Sequence, residues 1–280
     1  MPPLSAQRGN APAAISGAPS AGAPSVGAAD RRARFPRGLA QPEGGFRFGA
    51  DTLLLSAFAH AHLKRGAALS GLDIGTGCGA AAIGLLLLRP GEPIAITGID
   101  TGPEMVAAAN QNAADLDFTA HLQPALADAR HYRCPAPCHF ALANPPFRVP
   151  GTGRPCPDDA RHRARFEGPG GFAAFAACAA RNLRTGGQLF LVHLAERLPE
   201  LMCALAGHGL RTRRLLPVQG QEGQAPRLAL IQATLGGGQG LALEAPLVLY
   251  RPDGSLTPQA AAFCPFLLAN PARRSRKHPA

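Results

Sequence analysis

The sequence predicts an α/β protein built on a mostly parallel β-sheet. Short apolar runs alternate with longer stretches of small and apolar residues at helical length, the pattern of strands separated by crossover helices. One such run ends at Asp73 in a glycine turn, Gly75-Thr76-Gly77-Cys78-Gly79, which opens the next helical stretch. The 280 residues, 46% of them apolar, also suffice for one substantial core without help from metal or disulfides.

Residues 1–40 are mainly Ala, Pro, Gly and Ser with Arg31, Arg32, Arg34 and Arg37, a composition that cannot offset chain entropy by burial, so a disordered tail is expected. The tail carries arginine and little acid, but it lacks the amphipathic period of a transit peptide. Asp51 reads as the N-cap of a helix through Leu53, Leu54, Leu55, Phe58 and Leu63. Strands are expected at Ala68 to Ile74, Ile94 to Ile99, about Ala120 to Gln123, and Phe140 to Ala143. Helices are expected at Ala80 to Leu88 and Pro103 to Leu116. A loop rich in Gly, Pro and Arg precedes a helix from about Gly171 to Leu183, a turn at Thr185 to Gly187 and a strand from Gln188 to His193. A helix at Glu196 to Ala206 and strands at Leu210 to Leu216, Arg227 to Leu235 and Pro246 to Tyr250 complete the pattern. No internal repeat is visible. One catalytic domain over residues 41–270 is expected, followed by a basic tail over 271–280.

The formal net charge of +10 is uneven: residues 1–65 carry 8 Lys/Arg against 3 Asp/Glu, 66–130 carry 2 against 7, and 131–280 carry 18 against 8. A polyanion would approach the two ends of the chain rather than its acidic middle, although an arginine-rich composition gives the same count without any such partner. Seven cysteines, an odd number at irregular positions, with no secretory leader, read as reduced thiols in a cytoplasmic protein. No apolar run reaches the length of a membrane span. The stretch Cys134-Pro-Ala-Pro-Cys138 is a single CxxxC without the second ligand pair of a structural zinc site, so no metal is expected.

Three glycines at Gly75, Gly77 and Gly79 admit positive φ and close ligand approach, and the helix behind them offers free N–H groups. With Ala80 this turn also satisfies the dinucleotide fingerprint, and Asp100 at the end of the next strand would grip a ribose in either case. Asp73 separates the two readings, because a carboxylate before the first glycine repels a pyrophosphate and suits the ammonium of a methionine moiety. Asp128, after the third strand, offers an acceptor for an adenine amino group, or is a solvated loop carboxylate.

The sharpest motif is Asn144-Pro145-Pro146-Phe147 after the fourth strand. The prolines hold an extended backbone, so the Asn144 side chain and the Pro145 carbonyl present fixed acceptors, with Phe147 as a flat face. An amino group conjugated to a heterocycle is a poor nucleophile. Two acceptors on its hydrogens favour a tetrahedral nitrogen and localise its lone pair for attack on a sulfonium methyl. Phe147 would stack on a base drawn out of its own stack.

Taken with Gly49-Ala-Asp51-Thr-Leu-Leu-Leu, the glycine turn, and Asp159-Ala-Arg161-His-Arg163-Ala-Arg165, this motif resembles the bacterial tRNA(Val) adenine N6-methyltransferase family. Pro246 to Pro258 resembles that family's closing strand, and the matches run from about Phe46 to Phe263. The resemblance implies a Rossmann-like class I methyltransferase fold, a seven-stranded, mostly parallel sheet with a final antiparallel strand. It implies S-adenosyl-L-methionine as cofactor, held at Asp73, Gly75, Gly77, Gly79, Asp100 and Asp128. It further implies tRNA as partner and an active centre at Asn144, Pro145 and Phe147. Phe147 stands where the family usually has Tyr, which keeps the stacking face and loses a hydroxyl; Leu256 and Gln259 stand where an aromatic and an acid are common. Arg161, Arg163 and Arg165, in a loop directly after the motif, are candidate phosphate contacts.

Alternative substrates remain for the same chemistry. A protein glutamine N5-methyltransferase acting on release factors also uses Asn-Pro-Pro, but carries a helical substrate domain that the first 40 residues do not supply. A DNA adenine methyltransferase would want a target-recognition domain. A catalytically inactive RNA-binding protein of this fold would have no reason to keep Asp73, Asp100 and Asn144 together, and an NAD-dependent oxidoreductase leaves Asn-Pro-Pro-Phe unexplained.

Overall fold

The computed structural model describes residues 27–42, 47–147 and 171–269. Its strands are β1 (Leu69–Ile74), β2 (Ile94–Asp100), β3 (Leu122–Leu126), β4 (Cys138–Ala143), β5 (Leu183–Leu194), β6 (Leu210–Gln221), β7 (Leu228–Leu235), β8 (Ala242–Leu243) and β9 (Leu247–Tyr250). The described helices are α1 (Ala28–Arg34), α2 (Ala50–His62), α3 (Ala80–Leu88), α4 (Pro103–Asp115), α5 (Gly171–Asn182), α6 (Leu198–Gly207) and α7 (Pro258–Phe263). The strands form a single sheet in the order β3-β2-β1-β4-β5-β7-β6-β8, with β9 also paired to β6. Strands β1 to β5 run parallel, and β7 inserts antiparallel between β5 and β6. The expected seven strands and the antiparallel closure are present. Two short strands, β8, which was not expected, and β9, which falls on the expected run Pro246 to Tyr250, extend the sheet by pairing parallel to the outer side of β6.

Both faces of the sheet are covered, which is why its central strands read as continuous apolar runs rather than as alternating ones. Phe140 and Leu142 of β4 pack on one face with Phe58 of α2 and Phe190 of β5. Ala141 and Ala143 point the other way, towards Phe172 of α5 and Leu191. Gly71 is the adaptation that makes this packing fit: a Cβ there would lie 2.2 Å from Cζ of Phe140, so the ring lies flat across β1 only over a glycine. No helix among the described residues is long and apolar enough to cross a membrane.

Several expectations need correction. The tail expected through residue 40 gives way to structure at its end. Helix α1 spans Ala28–Arg34, Arg32 donates from Nε to the Leu116 carbonyl at 2.7 Å and lies over the Phe118 ring, and Phe35 is buried against Phe266. Composition missed this because the segment gains its stability from α4 and the far end of the chain rather than from itself. Strand β3 begins and ends later than expected. It runs through Pro124, which is tolerated because β3 is the sheet's edge, where a residue without an N–H costs nothing on the open side. The N-cap of α2 is Gly49, not Asp51, which sits inside the first turn.

Arg89 is the largest fully buried side chain among the described residues. Its guanidinium donates to the carbonyls of His60, Leu63 and Lys64 at 3.0, 2.5 and 2.9 Å, closing the C-terminus of α2, and pairs with Glu92 at 2.8 Å. Arg89→Met keeps the stem and removes every one of these bonds. It is expected to lower unfolding free energy by about 3 to 5 kcal/mol, the cost of breaking a buried charge network. Urea denaturation measures it, and a loss below about 1 kcal/mol would show that water replaces the guanidinium without penalty.

Candidate active site

Parallel pairing brings the C-terminal ends of β1, β2, β3 and β4 to one edge, with Ile74 beside Ile99 on one side and Ala143 on the other. The glycine turn and the Asn-Pro-Pro-Phe segment therefore leave neighbouring strands side by side. In the turn Gly75, Gly77 and Gly79 have φ of 72, 55 and 83°, the left-handed region that their lack of a Cβ permits. A Cβ on Gly77 would have no atom within 4 Å, so the turn opens on free space there.

Asp73 is 1% exposed and accepts a hydrogen bond from Thr76 Oγ1 at 2.7 Å. Burial, with the nearby charge of Asp100 adding to it, pushes its carboxyl up to about 6 against the bond from Thr76. Asp100 accepts from the Gly77 N–H with Oδ2 and from the Gly102 N–H with Oδ1, both at 2.9 Å, so it ties the glycine turn to the start of α4. Burial raises its carboxyl as well. Asp128 is placed differently. Its carboxylate is held by the Arg130 guanidinium and backbone N–H, which lowers its pKa, and it sits at the turn after β3.

Asn144 follows β4. Its Nδ2 donates to Asp51 Oδ2 at 3.1 Å and to Thr52 Oγ1 at 2.8 Å, both in the first turn of α2. An ionised carboxylate only accepts, so Asp51 dictates which way the amide faces, with Nδ2 towards α2 and Oδ1 away from it. Burial raises the Asp51 carboxyl despite that bond. Pro145 is buried, and Phe147 packs on His193 of β5 with ring centroids 5.0 Å apart. Burial and the Arg197 charge hold the His193 imidazole down at about 4, so it is neutral at physiological pH.

The structure thus brings Asp73, Gly75, Gly77, Gly79, Asp100, Asn144, Pro145 and Phe147 to one edge of the sheet, with Asp128 at its margin. Arg161, Arg163 and Arg165 lie outside the described residues. Sequence reasoning missed Asp51 as the partner of Asn144, His193 as the floor under Phe147, and Asn112. Asn112 is buried in α4 and donates to the Cys78 carbonyl at 2.9 Å while pairing with both backbone groups of Ala40. The Asp51 signal was present as an acid beside Thr52 at a helix start, but it read equally well as a cap.

No protein-family model matches the sequence, and no curated protein matches it. Solved structures do resemble it. A protein from Agrobacterium tumefaciens described as a predicted O-methyltransferase matches at 21% identity and a TM-score of 0.58, over 77% of this chain and 96% of its own. The chain has the class I methyltransferase fold. A class I S-adenosylmethionine-dependent methyltransferase from Listeria monocytogenes matches at 14% identity and a TM-score of 0.52, over 81% of this chain and 69% of its own. The ribosomal protein L11 methylase of Lactobacillus delbrueckii subsp. bulgaricus matches at 16% identity and 0.51, over 71% and 86%.

The Asp73 carboxyl has a consequence for stability that pH reads out. Unfolded, it titrates near its ordinary 3.8; folded, near 6. Between those values the native state binds the extra proton, so this group's contribution to stability falls as pH rises through the window. The ligand-free wild type should lose up to roughly 3 kcal/mol there relative to Asp73→Asn, which carries no titrating group. Parallel stability profiles for the two proteins across that window would show that the buried carboxyl is not strained.

Proposed function

We propose that this protein transfers a methyl group from S-adenosylmethionine to the exocyclic N6 amino group of an adenine in tRNA. The observation that carries the reading is the fixed amide of Asn144, held through Nδ2 by Asp51 and Thr52, one strand away from the open glycine turn. The donor set fits the cofactor. Asp73 is buried and Asp100 half-buried, both carboxylates have lone pairs beyond those used by Thr76 and the N–H groups of Ala82, Gly77 and Gly102, and they lie beside a turn with open space at Gly77.

Asp73 would balance the ammonium group, Asp100 would accept from the ribose hydroxyls, and Gly75, Gly77 and Gly79 would let the backbone approach. Asp128, if it exchanges its Arg130 contact, would take the adenine amino group of the cofactor. The bound sulfonium supplies an electrophilic methyl. Asn144 Oδ1 accepts one hydrogen of the target amino group and the Pro145 carbonyl the other, which pulls nitrogen towards a tetrahedral shape and frees its lone pair. Phe147, backed by His193, stacks on the target base. The methylated nitrogen then sheds its proton to water, so no buried base is required. Arg161, Arg163 and Arg165 would contact tRNA phosphates. Resemblance rather than geometry carries the choice of tRNA over a protein glutamine.

Incubating the protein with a pool of tRNA, a release factor and isotope-labelled cofactor tests this. Label in N6-methyladenosine is expected. Label in glutamine would move the substrate to protein while keeping the chemistry, and no transfer at all would sink the reading.

Asn144→Ala should slow single-turnover transfer by about 10² to 10³, roughly 3 to 4 kcal/mol, with cofactor affinity changed no more than a few-fold. Asp51→Ala should cost about 10- to 100-fold, as loss of an orienting partner does. Placed on Asn144→Ala, the Asp51 change should cost almost nothing more, because it acts through the amide already removed. Additive losses would assign Asp51 some separate role.

Asp100→Ala removes charge-assisted acceptors worth about 1.5 to 3 kcal/mol each and releases the Gly77 N–H. Calorimetry should show cofactor binding at least ten-fold weaker. Wild-type affinity would take Asp100 out of the site.

A further inference from the structure

At the opposite edge of the sheet from the candidate site, where β4 begins, two thiols meet. Cys138 Sγ lies 3.3 Å from Cys134 Sγ and donates to it. The segment between them, Pro135-Ala136-Pro137, is stiffened by its prolines, and its start is anchored from α5. Asn182, buried, accepts the Cys134 N–H at 2.6 Å and donates to the Tyr132 carbonyl at 3.2 Å, while Arg181 donates to the carbonyls of Tyr132 and Ala129. The pair is therefore held together by the fold rather than by chance contact of two mobile loops. Neither thiol has a part in the methyl-transfer reading.

The two thiols are not equivalent. Cys134 is half-buried, and it and Cys138 both line a cavity of about 220 Å³ together with Ser70, Thr97, His121 and Gln123. Cys138 is the more buried of the two. The Cys138 S–H and the Tyr132 hydroxyl both stabilise a Cys134 thiolate and bring that thiol down to about 7, whereas the same contact keeps Cys138 protonated. An accessible thiolate backed by a protonated second thiol within bonding reach is the arrangement of an attacking and a resolving cysteine.

We propose that Cys134 and Cys138 form a reversible oxidation site for hydrogen peroxide. The Cys134 thiolate attacks one peroxide oxygen. The O–O bond breaks, hydroxide leaves and takes a proton to become water, and Cys134 becomes a sulfenic acid. With the negative charge at Cys134 gone, the Cys138 thiol gives up its proton more readily. Its sulfur attacks that of Cys134, the S–O bond breaks, and a second water leaves. Two thiols lose two electrons in total, and the peroxide is reduced to two waters. Closing the bond requires the sulfurs to move from 3.3 Å to about 2.05 Å.

Treating the full-length protein with limiting hydrogen peroxide, blocking free thiols with iodoacetamide and digesting with trypsin tests the site. The peptide released after Arg133 carries Cys134 and Cys138 and no other cysteine. It is expected to become lighter by two hydrogens and unalkylated, and to return to the dithiol form with dithiothreitol. The exposed Cys203 should remain alkylated in the same sample and serves as the control for indiscriminate oxidation. Cys138→Ser should stop the reaction at a Cys134 sulfenic acid that dimedone traps. Oxidation of Cys203 at or before the pair, or a pair that stays fully alkylated, would overturn the proposal. So would direct passage to sulfinic acid without the disulfide.

Discussion

Parallel pairing of β1 with β4 is the constraint on which the candidate site depends. In a parallel sheet every strand returns through a crossover, so all C-terminal ends gather on the same edge, and whatever follows each strand is delivered there. Ile74 and Ala143 stand opposite each other in that pairing, and the next residues out are the glycine turn and Asn144. A slip by one residue would exchange the buried faces of β4, putting Phe140 and Leu142 where Ala141 and Ala143 now fit. Gly71 resists the slip, since only the residue without a side chain can lie beneath the Phe140 ring. The site's geometry is thus inherited from core packing several residues away.

What was legible in the sequence follows from the range of the forces involved. Helix α3 could be read to the residue, because a glycine turn opens it and its apolar run closes before Arg89 and Pro90, all local signals. The glycine turn and Asn144 were likewise legible as short motifs with their own chemistry. Asp51 was not, because its partner lies 93 residues away and a carboxylate in a first helical turn already has an adequate local explanation. His193 and α1 were missed for the same reason, as nothing within ten residues of either states what it packs against. Strand β8 is a two-residue addition to an edge, and edge pairing leaves little trace in hydropathy, whereas β9 was legible as the apolar run from Pro246 to Tyr250.

Charge counts illustrate the limit from another side. The sequence places three arginines of α1 and one just beyond it in a basic cluster, as if offered to a polyanion. In the fold, Arg31 pairs with Asp115, Arg32 with the Leu116 carbonyl, and Arg37 with the Ala269 carbonyl. Arg89 is buried, and Arg130, Arg197 and Arg214 each face an acid. Positive charge paired with acids in this way is less available to a nucleic acid than its count suggests.

Three carboxylates, Asp51, Asp73 and Asp100, are raised by burial at the same edge of the sheet, and among the described residues none of them forms an ion pair. Burying acids without a counter-charge costs stability, and a core built only for folding would replace them by amides or apolar groups. The cost is intelligible if each acid does something a neutral group would do worse. Asp51 gives orientation, because an acceptor without hydrogens leaves Asn144 one way to face, whereas an amide in its place would permit both. Asp100 gathers the N–H groups of Gly77 and Gly102 onto one side chain and so holds the turn at its open position. Asp73 is the most deeply buried of the three, and its bonds from Thr76 Oγ1 and the Ala82 N–H do not offset that burial. A ligand bringing a cation to that turn would relieve the strain and lower the Asp73 pKa on binding. In the proposed enzyme, part of the cofactor's affinity would therefore come from removing a penalty that the ligand-free fold carries.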